Sequence, residues 1–100
     1  KAGPVGIEEL LSGKRTEIIQ LVERHGARNV RVFGSVARGD AGPDSDIDFL
    51  VEMPRGRSLL DLVGLWHDLE ELLGRKVDVV TDGGISPYLK DRILAEARPL

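Results

Sequence analysis

Two neighbouring stretches decide the fold of this chain: VFGSVARG at residues 32–39 and SDIDFLV at residues 45–51. Together they predict a strand, a glycine turn, a short helix, a loop and a second strand. Because side chains alternate between the two faces of a strand, Asp46 and Asp48 would share one face while the apolar residues between and after them turn to the other. The second strand therefore has one acidic face and one face suited to a hydrophobic core.

The composition indicates one small globular domain spanning residues 1–100. Hydrophobic residues make up 41% of the chain but aromatic residues only 4%, so the core is mostly aliphatic. The net charge of −3 does not favour direct binding to nucleic acid. The chain has no cysteine, which excludes disulfides and thiolate zinc sites. No apolar run approaches the roughly 20 residues of a membrane-spanning helix, so we expect no membrane partner and a cytoplasmic location.

Helical and strand patterns alternate along the rest of the chain. Besides the short helix of the first stretch and one helical turn near residue 7, the predicted helices cover residues 14–25, 58–73 and 86–97, and the predicted strands cover residues 29–33, 45–52 and 76–80. A turn at residues 54–57 separates the second strand from the long helix. This order predicts an α/β, or α+β, fold in which a small mixed β-sheet carries helices packed on one face.

Capping residues and apolar spacing support the two later helices. Ser58 and Asp61 form a capping pair for the long helix, and Ser86 caps the last helix ahead of a proline. The long helix carries an apolar stripe at helical spacing, made of Leu59, Leu62, Trp66, Leu69 and Leu73. The last helix is expected to turn three residues inward and to stop at Pro99; the three are Leu89, Ile93 and Ala97. Four basic residues near turns are expected to be solvated loop charges: Arg55, Arg57, Arg75 and Lys76.

Three aspartates converge on the polar face of the predicted sheet. Asp78 lies on the third strand, and we expect its side chain near those of Asp46 and Asp48. Neighbouring strands are about 4.8 Å apart, and two like charges about 4 Å apart cost roughly 4 kcal/mol at an effective dielectric constant near 20. Bound cations would relieve this repulsion, and an all-oxygen ligand set favours Mg²⁺ or Mn²⁺ over zinc. An ordinary solvated strand face is the alternative for each aspartate taken alone.

The glycine turn supplies the second half of the candidate site. Gly34 lets a phosphate approach the backbone, the Ser35 hydroxyl can donate a further hydrogen bond, and Arg38 is within reach of the same phosphates. A plain helix cap is the alternative for Ser35, and a surface arginine is the alternative for Arg38. A triphosphate held beside a metal cluster is the arrangement required for nucleotidyl transfer.

Other motif interpretations fail on single residues. Residues 34–39 match the beginning of a Walker A loop, but Asp40 stands where the lysine is required. The aspartates of residues 44–48 match the first ligands of an EF-hand, but Phe49 replaces the required glycine and Arg55 replaces the bidentate glutamate. There is no G-x-S-x-G motif or Cys/His pair for covalent catalysis. The two histidines, His25 and His67, have no partner at metal-ligand spacing, so we expect surface roles for them.

The GSVARG and SDID motifs, at residues 34–39 and 45–48, resemble the signature of the DNA polymerase beta-like nucleotidyltransferase superfamily. The short length and the Ala-Arg-Gly form are most similar to its minimal nucleotidyltransferases, the MNT family. This resemblance implies the polymerase beta-like nucleotidyltransferase fold. It implies that Asp46, Asp48 and Asp78 are the catalytic residues and hold Mg²⁺, and that Gly34 and Ser35 bind the phosphates of the nucleotide.

The resemblance also implies a partner. Many MNT proteins are antitoxins paired with a HEPN toxin, and they can transfer AMP from ATP to a tyrosine of that toxin. A chain of 100 residues leaves little surface for holding an acceptor, so another protein or a second copy of this chain must present it. Two other functions stay open: an antitoxin that neutralises its partner by complex formation alone, and a nucleotide-sensing subunit of a larger assembly.

Overall fold

A computed structural model describes residues 6–56 and 58–100. Its helices are α1 (Ile7–Leu11), α2 (Arg15–Arg24), α3 (Gly34–Arg38), α4 (Leu59–Leu73) and α5 (Pro87–Glu96). Its strands are β1 (Arg28–Phe33), β2 (Ile47–Glu52), β3 (Val77–Thr81) and β4 (Arg98–Pro99). Two 3₁₀ turns, Ser12–Lys14 and Asp82–Gly84, complete the elements. The predicted turn at residues 54–57 ends on Arg57, which lies outside the described residues.

The four strands form one mixed sheet in the order β3-β2-β1-β4. Strand β1 runs antiparallel to β2 and to β4, whereas β2 and β3 are parallel. The long helix α4 makes the crossover between the two parallel strands, as a parallel connection requires. The predicted mixed sheet with helices is therefore confirmed, with one short additional strand at the end of the chain.

The hydrophobic core lies between one face of the sheet and helices α2 and α4. Alternate residues of β2 are at most 1% exposed, and they pack against equally buried aliphatic residues of both helices. The set is Ile47, Phe49, Val51, Ile18, Val22, Leu65 and Leu69. Each such side chain contributes about 1.5–3 kcal/mol by leaving water. The predicted core face of the second strand is thus confirmed.

The opposite face of the sheet is less polar than the sequence predicts. Leu50 lies on it with 0% exposure, opposite Arg31 on β1 and Val80 on β3. The Arg31 side chain is itself mostly buried and donates to the Asp82 carboxylate at 2.7 Å. The aspartate-bearing end of this face therefore adjoins a buried apolar residue.

Helix α4 confirms its predicted cap and corrects one residue of its predicted stripe. The backbone N–H of Ser58 donates to the Asp61 carboxylate at 3.0 Å, closing a capping box. The Trp66 indole packs against the core and donates to the carbonyl of Val77 at 2.9 Å. Leu59 is 73% exposed, so its predicted place in the core is wrong. Helical spacing predicts the direction in which a side chain points, but it does not predict whether another element packs over that side chain.

Helix α5 is the clearest departure from the prediction. None of its residues is buried, and Leu89, expected to face inward, is 48% exposed. Ile93 and Ala97 are half-buried and do not belong to the core cluster. The helix ends at Glu96 because the following residues turn extended and pair with β1 as strand β4. Pro99 thus lies in an edge strand, where its missing N–H is tolerated.

Candidate functional site

Asp48 is the centre of the candidate site. It is the second residue of β2, and its register partners are Phe33 on β1 and Asp78 on β3. Directly paired residues of neighbouring strands project to the same face. The structure therefore brings Asp48 and Asp78 side by side, as the sequence predicts.

Asp46 lies outside the strand in which the sequence places it. Strand β2 begins at Ile47, whose N–H donates to the carbonyl of Lys76 at 3.1 Å, and the exposed Asp46 belongs to the preceding loop. The reason is local, since the residues before Asp46 form a turn in which the Gly42 N–H donates to the Ser45 hydroxyl at 2.8 Å. Strand alternation therefore does not orient the Asp46 side chain.

The electrostatics of Asp48 show that these groups share one neighbourhood. Burial, followed by the charges of Asp78 and Asp46, raises the pKa of Asp48 to about 6. The Arg38 guanidinium opposes this rise in pKa, and the Glu96 carboxylate adds to it. Three other carboxylates and one arginine thus act electrostatically on Asp48 at this end of the sheet.

Gly34 is required by the carboxylate it faces. Its φ of +73° lies in the left-handed region, and a Cβ at this position would overlap the Asp48 carboxylate. The sequence predicts a glycine here to admit a phosphate, and the structure adds that a glycine makes room for Asp48. The half-buried Ser35 follows as the second residue of α3.

Arg38 and Gly34 are joined by a glutamate that the sequence did not single out. The Gly34 N–H donates to one oxygen of Glu96 at 3.2 Å, and Arg38 donates to its other oxygen at 3.1 Å. Arg38 also reaches Asp40 at 3.4 Å. The separation of 62 residues between Gly34 and Glu96 explains why no local pattern could reveal this contact.

Arg75 is a second residue whose role the sequence did not show. It was expected to be a solvated loop charge, but it is half-buried and donates to three backbone carbonyls, those of Gly42 at 2.7 Å, Pro43 at 3.1 Å and Ser45 at 3.1 Å. These carbonyls belong to the loop that leads into Asp46. Arg75 therefore fixes the loop that carries one of the three predicted metal ligands.

A nucleotidyltransferase domain model matches residues 15–100, which is most of the chain. The chain belongs to the nucleotidyltransferase domain family. A Methanocaldococcus jannaschii protein provisionally named as a protein adenylyltransferase is 52% identical over 83 residues, covering 83% of this chain and 89% of that one. The protein adenylyltransferase MntA of Thermococcus cleftensis is 40% identical over 90 residues, covering 90% of this chain and 88% of that one. The resemblance in the sequence is thereby confirmed.

Solved structures confirm the nucleotidyltransferase fold. A protein provisionally described as a minimal nucleotidyltransferase superposes with a TM-score of 0.84 at 49% identity, over 96% of this chain and 97% of that one. A complex of a tri-AMPylated Shewanella oneidensis HEPN toxin with an MNT antitoxin gives a TM-score of 0.65 at 21% identity, over 84% of this chain and 66% of that one. At that identity the second likeness establishes the shared fold.

The donor chemistry of the predicted metal ligands suits divalent metal ions. Asp46, Asp48 and Asp78 supply only oxygen ligands, and the charges of Asp78 and Asp46 contribute to the raised pKa of Asp48. A cation offsets such repulsion, and an all-carboxylate set suits Mg²⁺ or Mn²⁺.

A different group of metal-ligating residues lies on α4. Across residues 6–56 and 58–100, the trio whose donor atoms all lie within 4.8 Å of one another is His67, Asp68 and Glu71, so the expected convergence of Asp46, Asp48 and Asp78 is not seen at this distance. Asp68 is also paired with His25 at 2.7 Å, and this hydrogen bond lowers the pKa of Asp68. The expectation that His25 has only an ordinary surface role is wrong, because its half-buried ring packs on Gly64 and links α2 to α4.

No helix among the described residues has both the length and the apolar character that crossing a bilayer requires.

Proposed function

We propose that this single domain is a Mg²⁺-dependent adenylyltransferase that transfers AMP from ATP to a tyrosine hydroxyl of a partner HEPN toxin, and that it acts as the antitoxin of the pair. The observation that carries the proposal is the pairing of Asp48 with Asp78 beside the Gly34 turn. Membership of the nucleotidyltransferase family and the names of the relatives support the reaction class.

In the proposed reaction the predicted residues divide into metal ligands and phosphate ligands. Asp46, Asp48 and Asp78 hold the metal, which supplies charge stabilisation for an attacking and a leaving oxygen. Gly34 and Ser35 hold the triphosphate, and Arg38 neutralises part of its charge.

The chemical step exchanges one phosphorus–oxygen bond for another. The acceptor oxygen attacks the α-phosphorus, the bond from that phosphorus to the bridging oxygen breaks, and diphosphate leaves with the bonding electrons. The acceptor proton passes to the Asp78 carboxylate, which releases it to water. Asp78 is suited to this task because it lies beside Asp48 on the same sheet face.

The size of the described domain supports an acceptor that is presented from outside it. The elements of the nucleotidyltransferase pack around one small sheet, and no further domain is present in residues 6–56 and 58–100 to hold a substrate. The fold neighbour that is an MNT antitoxin is seen with an AMPylated HEPN toxin, which makes that class of protein our proposed acceptor. A net charge of −3 gives no support for a nucleic-acid acceptor.

Neutralisation of the toxin in cells separates catalysis from simple complex formation. We would co-express a HEPN toxin of the proposed partner class with the wild type or with Asp48→Asn, and measure growth together with co-purification of the two proteins. We expect Asp48→Asn to bind the partner but not to restore growth. Full rescue by this variant would overturn the catalytic proposal and favour neutralisation by complex formation.

A further inference from the structure

Glu96 accepts hydrogen bonds from two donors that the proposed function assigns to the triphosphate. One of its oxygens accepts the Gly34 N–H at 3.2 Å, and the other accepts a guanidinium N–H of Arg38 at 3.1 Å. Its side chain is only 22% exposed. A carboxylate and a phosphate present the same kind of charged oxygen to such donors, so the two compete for them.

We propose that Glu96 occupies the position of a phosphate group and that ATP must displace it to bind. This inference rests on the proposed function, because it takes Gly34 and Arg38 to be phosphate ligands. Glu96 then lowers the affinity for ATP. It also favours the departure of diphosphate, since its carboxylate refills the position after the reaction.

The structure provides the displaced carboxylate with a second partner. The Nε atom of Arg92, one turn earlier on α5, lies 3.7 Å from a Glu96 oxygen, and the Arg92 side chain is largely exposed. Rotation of the Glu96 side chain toward Arg92 keeps an ion pair while it frees the Gly34 N–H. The end of α5 can also yield, because no residue of this helix is buried.

The location of Glu96 gives a second reason for displacement. Its negative charge acts on Asp48 together with those of Asp78 and Asp46. A triphosphate arriving with its metal adds further negative charge at this end of the sheet. Of these carboxylates, Glu96 is the one that accepts hydrogen bonds from the proposed phosphate ligands Gly34 and Arg38. Moving it away therefore relieves its repulsion with the incoming triphosphate.

A structural role for Glu96 predicts the opposite result. If Glu96 serves to position Arg38 for the triphosphate, its removal weakens nucleotide binding. The sign of the change in affinity therefore distinguishes competition from positioning.

The test is calorimetric titration of AMP-PNP with Mg²⁺ into the full chain without acceptor, comparing the wild type, Glu96→Ala and Glu96→Gln. We expect Glu96→Ala to bind roughly tenfold more tightly than the wild type, the size expected when a competing charged hydrogen bond is lost. Glu96→Gln should lie between them because its amide oxygen can still accept from Gly34. Asp91→Ala is the matched control, since it removes one charge from an exposed position of the same helix.

Unchanged or weaker binding by both Glu96 variants, with wild-type binding intact and thermal unfolding normal, would overturn the inference and leave the proposed function standing. Absence of AMP-PNP binding in the wild type and in every variant would instead overturn the proposed function. Tighter binding by Asp91→Ala equal to that of Glu96→Ala would show that net charge alone is responsible and would also overturn the inference.

Discussion

At the scale of single residues, Asp48 shows how a reactive site opposes stability. Its pKa is raised to about 6 in the folded chain, from 3.8 for a free aspartate, mainly by burial and then by its acidic neighbours. The folded state therefore binds a proton more tightly than the unfolded state. The resulting destabilisation is absent below about pH 4, grows between pH 4 and pH 6, and is constant above about pH 6.

Asp48→Asn should consequently stabilise the fold at pH 8 while it abolishes transfer. Because the side chain is only half-buried, we expect a gain of about 1 kcal/mol in the free energy of unfolding at pH 8 and little gain at pH 4. Urea unfolding at both pH values measures it. Asp46→Asn is the control, since Asp46 is exposed and should give a smaller gain. A variant less stable than the wild type at pH 8 would contradict this explanation.

Metal binding should depend on the same proton. Since the metal needs the ionised carboxylate, we expect the apparent affinity for Mn²⁺ to fall about tenfold per pH unit below pH 6 and to level off above it. Electron paramagnetic resonance of free Mn²⁺ between pH 5 and pH 8 gives the profile. A flat profile across this range would show that Asp48 is not a ligand.

Gly34 has a positive φ and also lies close to the Asp48 carboxylate, and two alanine variants can separate these effects. A side chain at Gly34 meets both a positive φ and the Asp48 carboxylate, whereas Gly39 has a similar φ of +82° and a Cβ there would have nothing within 4 Å. Each alanine variant should lose about 1–3 kcal/mol from backbone strain. Only Gly34→Ala should also abolish transfer. Equal activity of the two variants, measured at matched folded fractions, would refute the proposed role of the close approach.

At the scale of elements, the loop before β2 depends on an arginine in the connection between α4 and β3. Arg75 donates to three carbonyls of residues 42–45 through one guanidinium nitrogen, which lies farther from the backbone than the ammonium of a lysine would. Removing it should let the Asp46 loop move while the core stays intact. The metal ligand set then loses its fixed geometry.

We therefore expect Arg75→Ala and Arg75→Lys to lower the rate of transfer by roughly ten- to hundredfold, the range typical of a slightly misplaced catalytic group. Lys76→Ala is the neighbouring control, because that side chain is exposed. Steady-state kinetics with varied Mg²⁺ measure the effect. A wild-type rate in both Arg75 variants would show that the loop keeps its geometry without the arginine.

The elements also show what a sequence can and cannot predict. Strand alternation and register predict the pairing of Asp48 with Asp78, and local chemistry predicts the caps of α4 and α5. Contacts between distant positions leave no periodic signal, so the roles of Arg75 and Glu96 did not emerge from the sequence. The predicted burial of Leu59 and Leu89 is wrong for a related reason, because an apolar residue at helical spacing is buried only where another element covers it.

At the scale of the whole molecule, the two faces of the sheet have different roles. Helices α2 and α4 bury the core on one face, while the other face carries Asp48 and Asp78 at one end, next to a turn that approaches them closely. The stability of the domain rests on the first face, which leaves the second able to carry repelling charges. Under the proposed function, an acceptor hydroxyl is brought to that face from outside the domain.

The intact mass of the partner protein tests this arrangement most directly. We would incubate a HEPN protein of the proposed partner class with ATP, Mg²⁺ and either the wild-type chain or Asp48→Asn, and record the mass of both proteins. We predict that the partner gains mass in whole AMP units with the wild type and gains none with Asp48→Asn. An unmodified partner in a stable complex with the wild type, or equal modification by Asp48→Asn, would contradict the proposed catalytic site.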